Sequence, residues 1–223
     1  MISLLISLFA NPWIYKIFAV NFFLGVLIIL TTILLLKNTR LFFLLFIPLL
    51  IFQILTTNKT SLTAISNDDR RVIDMRLRAY PYKLLRLGYW LEERKESIAF
   101  SRVIANLFEN MDPNLYFFAN NPRQRVGIKE IEKFPYVFLP FFLIGVFDSI
   151  SKKTKMFWLV SFFIPLAILS IIGNKNNLGP FFLFPFFAVS IYEGFKKLKS
   201  KYLPMFIIVL VLVLVQLISY EIK

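Results

Sequence analysis

The sequence contains no cysteine and no histidine. Without cysteine the chain forms no disulfide and offers no thiolate as a nucleophile or metal ligand. Without histidine it lacks the Ser-His-Asp and Cys-His catalytic arrangements, the HExxH zinc site and an imidazole base. Any enzymatic chemistry would therefore depend on carboxylates, Arg, Lys, Tyr or backbone groups.

Charge is scarce as well. Only 17% of the 223 residues are charged, whereas 58% are hydrophobic and 27 are Phe, and the mean hydropathy is +0.69. Soluble proteins are usually about 45–50% apolar. Apolar runs of roughly 18 residues or more are long enough to cross a bilayer as helices, which satisfy their own backbone hydrogen bonds. The composition therefore predicts an all-α, polytopic membrane protein.

The apolar runs predict about six transmembrane helices. They cover residues 13–36, 41–57, 134–150, 156–173, 178–195 and 203–220. Residues 1–10 are also apolar but stop at Asn11-Pro12, which predicts a short interfacial or re-entrant helix. The chain then divides into three regions. These are an N-terminal membrane hairpin (1–57), an extracytoplasmic helical domain (58–133) and a four-span bundle (134–223).

The charges of the short loops predict the orientation. One set of loops carries nine cations: Lys37, Arg40, Lys152, Lys153, Lys155, Lys196, Lys197, Lys199 and Lys201. The opposite set carries only Lys16 and Lys175 near the span ends. Because positive charge favours the cytoplasmic side, residues 58–133 and both termini are expected outside. The expected location is the cell (plasma) membrane, with the chain crossing it several times.

Residues 58–133 hold 24 of the 39 charged groups, 14 basic and ten acidic. This interleaving argues against a groove for the phosphates of a nucleic acid, so we expect membrane lipid as a partner and no nucleic acid. Two helices are predicted within the segment. Their apolar faces comprise Ile73, Leu77 and Tyr80 in the first, and Phe100, Val103, Ile104, Leu107, Phe108 and Met111 in the second.

The first candidate site is Asp68-Asp69-Arg70-Arg71. Asp68 or Asp69 is a candidate general base, and the pair is a candidate ligand for a divalent cation, the only cofactor these residues suggest. Arg70 and Arg71 are weaker candidates for binding a lipid phosphate. The alternative is a helix N-terminus, capped by Asn67 or Asp68, with acids favoured by the helix dipole.

The second candidate site contains Arg123 and Arg125, just before a predicted span. Two guanidinium groups at this spacing favour bidentate binding of a phosphate or pyrophosphate. The alternative is that both face the membrane surface or form salt bridges with Glu130 or Glu132.

The order of motifs resembles the C-terminal half of the polyprenol-phosphate-dependent membrane glycosyltransferases of the GT-C superfamily. Relatives there include protein O-mannosyltransferases and aminoarabinose transferases. The matching residues are Asn106, Pro113, Tyr116-Phe117-Phe118 and Arg123, followed by Gly127, Glu132, Pro135 and Gly145, and later by Pro185 and Gly194. The resemblance covers roughly residues 60 to 195.

The resemblance implies a protein that binds or transfers a polyprenyl-phosphate-linked sugar on the external face, with Arg123 and Arg125 holding the lipid phosphate. The family's first external loop, which carries its acidic residue, has no counterpart here, since Lys37-Asn38-Thr39-Arg40 joins the first two spans. A catalytic chain would therefore need a partner chain to supply that loop. The alternative function is a noncatalytic membrane scaffold or assembly subunit whose external domain binds protein.

Overall fold

The computed structural model describes residues 2–37, 41–58, 61–118, 133–151, 155–173, 176–197, 208, 211–213 and 215. The regular elements within these ranges are helices, which confirms the all-α prediction. They are α1 (Ile2–Phe9), α2 (Pro12–Val20), α3 (Phe22–Lys37), α4 (Leu41–Thr56), α5 (Asn67–Arg78), α6 (Leu85–Glu92), α7 (Lys95–Met111), α8 (Pro113–Phe117), α9 (Leu139–Ser151), α10 (Lys155–Ile172) and α11 (Phe184–Lys196). Short 3-10 turns at Tyr82–Leu84, Tyr136–Phe138 and Phe181–Leu183 precede α6, α9 and α11.

The first predicted span is wrong as a single helix, because the chain breaks at Asn21. Its backbone is extended there (φ −154°, ψ 109°), and its side-chain oxygen accepts from the Leu24 N–H at 3.1 Å. An Asn side chain satisfies the free N–H groups at the start of a helix, so it favours ending α2 and beginning α3. The predicted helix in residues 1–10 is present as α1, which bends by 56° into α2.

Four further predicted spans correspond to α4, α9, α10 and α11. α9 and α11 begin later than predicted, after 3-10 turns that follow Pro135 and Pro180. The last predicted span, residues 203–220, lies almost entirely outside the described residues. Within the described part, no single helix is long and apolar enough to cross a membrane. Two bent pairs meet the length and composition requirements, residues 3–9 with 12–20 and residues 136–151 with 156–172.

α11 lies at the centre of the bundle, with ten of its 13 residues buried. It runs against α9 at two reciprocal close contacts. A Cβ added to Gly145 would lie 1.7 Å from the Ser190 carbonyl oxygen, and one added to Gly194 would lie 2.0 Å from that of Phe141. Glycine at both positions therefore lets the two backbones touch, as small residues do between membrane helices.

Large apolar side chains also cover the outside of the bundle. The most exposed on α3, α4 and α9 are Phe23 (84%), Leu55 (77%) and Phe147 (70%). Others on these helices and α10 are Leu30, Leu44, Ile47, Ile51, Leu143, Ile144, Val160, Phe163, Ile164 and Ile171. Soluble monomers seldom expose contiguous apolar patches of more than a few hundred Å². The bundle is thus apolar on its surface as well as in its core.

Helices α5 to α7 form a separate, polar layer. Leu77 of α5 is buried, and the Tyr80 ring, in the turn after α5, packs against Gly88 of α6, as predicted, whereas Ile73 is only half-buried. α7 packs on α10, where the Asn106 side-chain amide donates to the Ser170 carbonyl oxygen at 2.9 Å. The polar layer is therefore attached to the bundle through α7.

Candidate functional site

The structure shows what surrounds Asp69, one of the two candidate bases. Ser66 is the N-cap of α5, in place of the expected Asn67 or Asp68. Its hydroxyl accepts from the Asp69 N–H at 3.1 Å. The Ser66 N–H and hydroxyl in turn donate to the Asp69 carboxylate at 2.9 and 2.8 Å. This reciprocal arrangement is a capping box, which satisfies N–H groups that the helix leaves free.

Arg102 of α7 completes the surroundings of Asp69. Its guanidinium lies 3.0 Å from the same carboxylate oxygen and also donates to the Ser61 carbonyl at 2.9 Å. The backbone hydrogen bond from Ser66 lowers the pKa of Asp69 most, followed by the Ser66 hydroxyl and the Arg102 charge. Asp69 is therefore held ionised, and one oxygen of its carboxylate, Oδ2, accepts all of these hydrogen bonds. This geometry suits a link between α5 and α7 better than a base that must accept a proton.

The other residues of the first candidate site point elsewhere or are described only in part. Arg70 is exposed and lines a cavity of about 370 Å³ together with Asp74 and Glu93. Arg71 is exposed on the surface of α5. Asp68 lies in the first turn of α5, and only its backbone is described. The structure thus separates Asp69, which faces α7, from Arg70.

A groove of about 290 Å³ runs between α5, α6 and α7. Its apolar wall comprises Ile65, Val72, Ile73, Leu91 and Ile98. Two ion pairs lie along it: Asp69 with Arg102, and Arg76 with Glu92 at 3.3 Å. The groove therefore offers apolar contact beside charge, a combination suited to an amphiphilic ligand. Within the described ranges, no three acidic residues lie close enough together to hold a metal ion.

A second polar centre lies where residues 118 and 133 approach each other. The Tyr116 carbonyl oxygen accepts from the Lys133 N–H at 2.9 Å and from the Phe134 N–H at 2.8 Å. These bonds bring together the two ends of residues 119–132, which lie outside the described residues. Arg123 and Arg125, the predicted phosphate-binding pair, belong to that stretch.

Lys133 is 1% exposed, although a lysine is rarely buried. Its ammonium donates to the Leu115 carbonyl oxygen at 2.8 Å. It also lies 5.8 Å from the ring centroid of Trp13 and 5.6 Å from that of Tyr116, a distance typical of cation–π contacts. Hydrogen bonding and the two rings thus stabilise the buried charge.

The turn before α11 lies over this lysine. The Trp13 indole N–H donates to the Leu178 carbonyl oxygen at 2.7 Å, and the Gln53 amide donates to that of Gly179 at 3.3 Å. Gly179 has a φ of +70°, and a Cβ there would lie 2.6 Å from Lys133 Cε. The positive φ therefore favours glycine at position 179, and any larger residue would also displace the Lys133 side chain.

Sequence reasoning did not find Lys133, Trp13 or Gln53 as parts of one centre. The signals were weak: a tryptophan right after Asn11-Pro12, a glutamine in an apolar run, and a lysine at a span boundary. Each is ordinary by itself. Only the fold brings them together, because they are separated by dozens of residues along the chain.

No protein-family model, curated protein or solved structure matches the chain. The resemblance to the GT-C glycosyltransferases therefore stays a prediction.

Proposed function

We propose that the chain is a multi-pass protein of the cell membrane whose residues 58–133 lie outside the cytoplasm. The observation that carries this proposal is the apolar outer surface of α3, α4, α9 and α10. Lipid is the environment in which Phe23, Leu55 and Phe147 can be exposed without a large hydrophobic cost. Helices broken at Asn21 or begun by 3-10 turns are compatible with a bundle whose neighbours satisfy the free backbone groups.

Within this membrane protein, we propose that Arg123 and Arg125 bind the phosphate of a polyprenyl-phosphate-linked sugar. Support comes from the centre formed by Tyr116 and Lys133, which anchors both ends of residues 119–132 to the bundle. An anchored segment loses less conformational entropy when it binds a ligand. The engagement of Asp69 supports binding over turnover by this chain alone, and leaves Asp68 as its candidate base. In a catalytic complex, a partner chain would supply the missing acidic loop.

Binding of polyprenyl phosphate to the full chain in lipid nanodiscs tests the site. The double substitution Arg123→Ala and Arg125→Ala should weaken binding at least about tenfold, because each charge-assisted hydrogen bond contributes about 1.5–3 kcal/mol. The matched control is Lys83→Ala with Arg86→Ala, which removes the same charge from the exposed surface next to and on α6. Equal affinity of wild type and the Arg123/Arg125 variant would refute the site, and an equal loss in the control would indicate unspecific charge attraction.

The second candidate function is a scaffold that binds another protein through its external layer. The outer face of α6 favours it, since Leu84, Leu87 and Trp90 are each about half exposed, and Tyr82 just before the helix is 92% exposed. Aromatic side chains are common at the centres of protein interfaces. In that case Leu87→Glu should release a defined partner protein while polyprenyl phosphate binding, if present, stays unchanged.

A further inference from the structure

Helix α7 carries an apolar stripe that the described part of the protein covers only in part: Leu107 packs against the core and Ile104 is half-buried, whereas the other members are exposed. The stripe consists of Phe100, Ile104, Leu107, Phe108 and Met111, which share one side of the helix at intervals of three and four residues. Phe100 is 67% exposed and Phe108 is 66% exposed. The described part of the protein therefore leaves most of these two rings uncovered.

The other sides of α7 have identified neighbours. Asn106 bonds to Ser170 of α10, and Arg102 bonds to Asp69 of α5. Since successive residues are turned by about 100° around a helix, these two directions differ from that of the stripe. α7 is thus held by protein on the face that carries Arg102 and Asn106, and its exposed apolar rings lie on a different face.

We propose that this stripe lies in the outer interface of the membrane, with Phe100 and Phe108 among the lipids. The inference rests on the proposed membrane location. Amphipathic helices bind such interfaces through an apolar face and a polar opposite face. α7 has both, since the stripe contains no charged residue and Arg102 lies away from it.

The position of α7 on α10 favours lipid over another protein as the occupant. Ser170, the contact with Asn106, lies two residues before α10 ends at Ile172. Ile171 is 55% exposed and Ile164 is 56% exposed, so the outer apolar surface of α10 continues to this end. The stripe therefore adjoins the surface that lipid covers, at the depth where α10 leaves the hydrocarbon on the external side.

One consequence concerns the groove between α5, α6 and α7. An α7 lying in the interface places Arg102, and the groove it lines, next to the headgroup layer. An amphiphilic ligand would then reach the groove laterally from the membrane without passing through water.

The absence of cysteine allows a direct test. Spin labels are attached to single-cysteine variants of the full chain in vesicles of phosphatidylethanolamine and phosphatidylglycerol. Collision rates are then measured with oxygen, which enters lipid, and with a water-soluble nickel chelate. The test variants are Phe100→Cys and Phe108→Cys; both side chains are exposed, so folding should persist. Lys95→Cys, also exposed on α7, is the aqueous control, and Leu44→Cys on α4 is the lipid control.

Labels at positions 100 and 108 should collide with oxygen at least about three times more often than with the chelate, as at position 44, with the reverse at position 95. If the labels at positions 100 and 108 collide mainly with the chelate while the label at position 44 collides mainly with oxygen, this inference is overturned and the membrane proposal stands. Chelate access at all four positions would refute the membrane proposal itself. Labels at 100 and 108 shielded from both reagents would show that protein covers the stripe, which also overturns the inference.

Discussion

The bundle around α11 and the layer of α5 to α7 are both helical, yet they are joined by different forces. α9 and α11 touch backbone to backbone at Gly145 and Gly194, with aromatic rings filling the space around them. α5 joins α6 and α7 through partly exposed ion pairs, besides the packing of the Tyr80 ring against Gly88. Close packing tolerates little change in volume, whereas exposed charges are weakened by salt and pH. The bundle should therefore be destabilised mainly by changes in side-chain volume, and the layer of α5 to α7 mainly by changes in salt or pH.

The largest effect is expected from Gly145→Ala. The new Cβ would meet the Ser190 carbonyl, which is backbone and cannot rotate away. Overpacking usually costs about 1–3 kcal/mol, and we expect a loss of unfolding free energy at or above the upper end. Reversible unfolding in detergent measures it.

Ile144→Ala is the matched control on the same helix, because Ile144 is 44% exposed. Its effect in detergent should be below about 1 kcal/mol. A Gly145→Ala variant as stable as this control would contradict the backbone contact and remove the contrast between the two regions.

A smaller loss is expected from Trp13→Phe at the Lys133 centre. The change keeps an aromatic ring beside Lys133 but removes the indole N–H that donates to Leu178. A buried carbonyl left without its donor costs about 1–3 kcal/mol. The free energy of unfolding in detergent should fall by that amount for Trp13→Phe. It should remain nearly unchanged for Trp90→Phe, whose ring is half exposed. Equal shifts would show that the indole hydrogen bond contributes nothing.

The smallest and most selective effect concerns pH. Because the folded pKa of Asp69 is lowered, its stabilising contribution is complete above the unfolded value of about 3.9. It is lost as the pH falls through the lower folded pKa. Asp69→Asn should remove this dependence and loosen α5 by less than about 1 kcal/mol at pH 7, because it removes the charge near the helix start and in the pair with Arg102 while Ser66 still caps the helix.

Hydrogen exchange of α5 peptides, corrected for the intrinsic rate at each pH, measures that loosening. Asp74→Asn on the same helix, outside the capping box, is the control. Faster exchange in the α9 and α11 peptides of Asp69→Asn would mean that the layer and the bundle unfold together, which would contradict the expected difference between the two regions.

Much of the fold could be predicted, because apolar runs require helices and α4 and α10 begin and end within a residue of the predicted spans. The break at Asn21 could not be predicted. An asparagine in an apolar run ends a helix only where its side chain caps the next helix, and the sequence does not show whether capping or a continuous helix is more stable. Similarly, α9 and α11 start late because the 3-10 turns after Pro135 and Pro180 come first.

The candidate site was less predictable. The alternative interpretation of Asp68-Asp69 as a helix start was closer to the structure than a catalytic pair, but the cap is Ser66 and the partner is Arg102, 33 residues later in the chain. Pairing of this kind depends on how α5 and α7 meet, which local sequence does not specify. The buried Lys133 has the same origin: its partners lie on helices that only the packed bundle brings together.

The paired hydrogen bonds at the Tyr116 carbonyl have an evolutionary consequence. They hold Tyr116 against Lys133 and Phe134 within the core. The entropy cost of closing the connection between them rises only slowly with its length. Insertions and deletions between Tyr116 and Lys133 therefore add little to the cost of forming these bonds, which leaves the length of this stretch free to change during evolution.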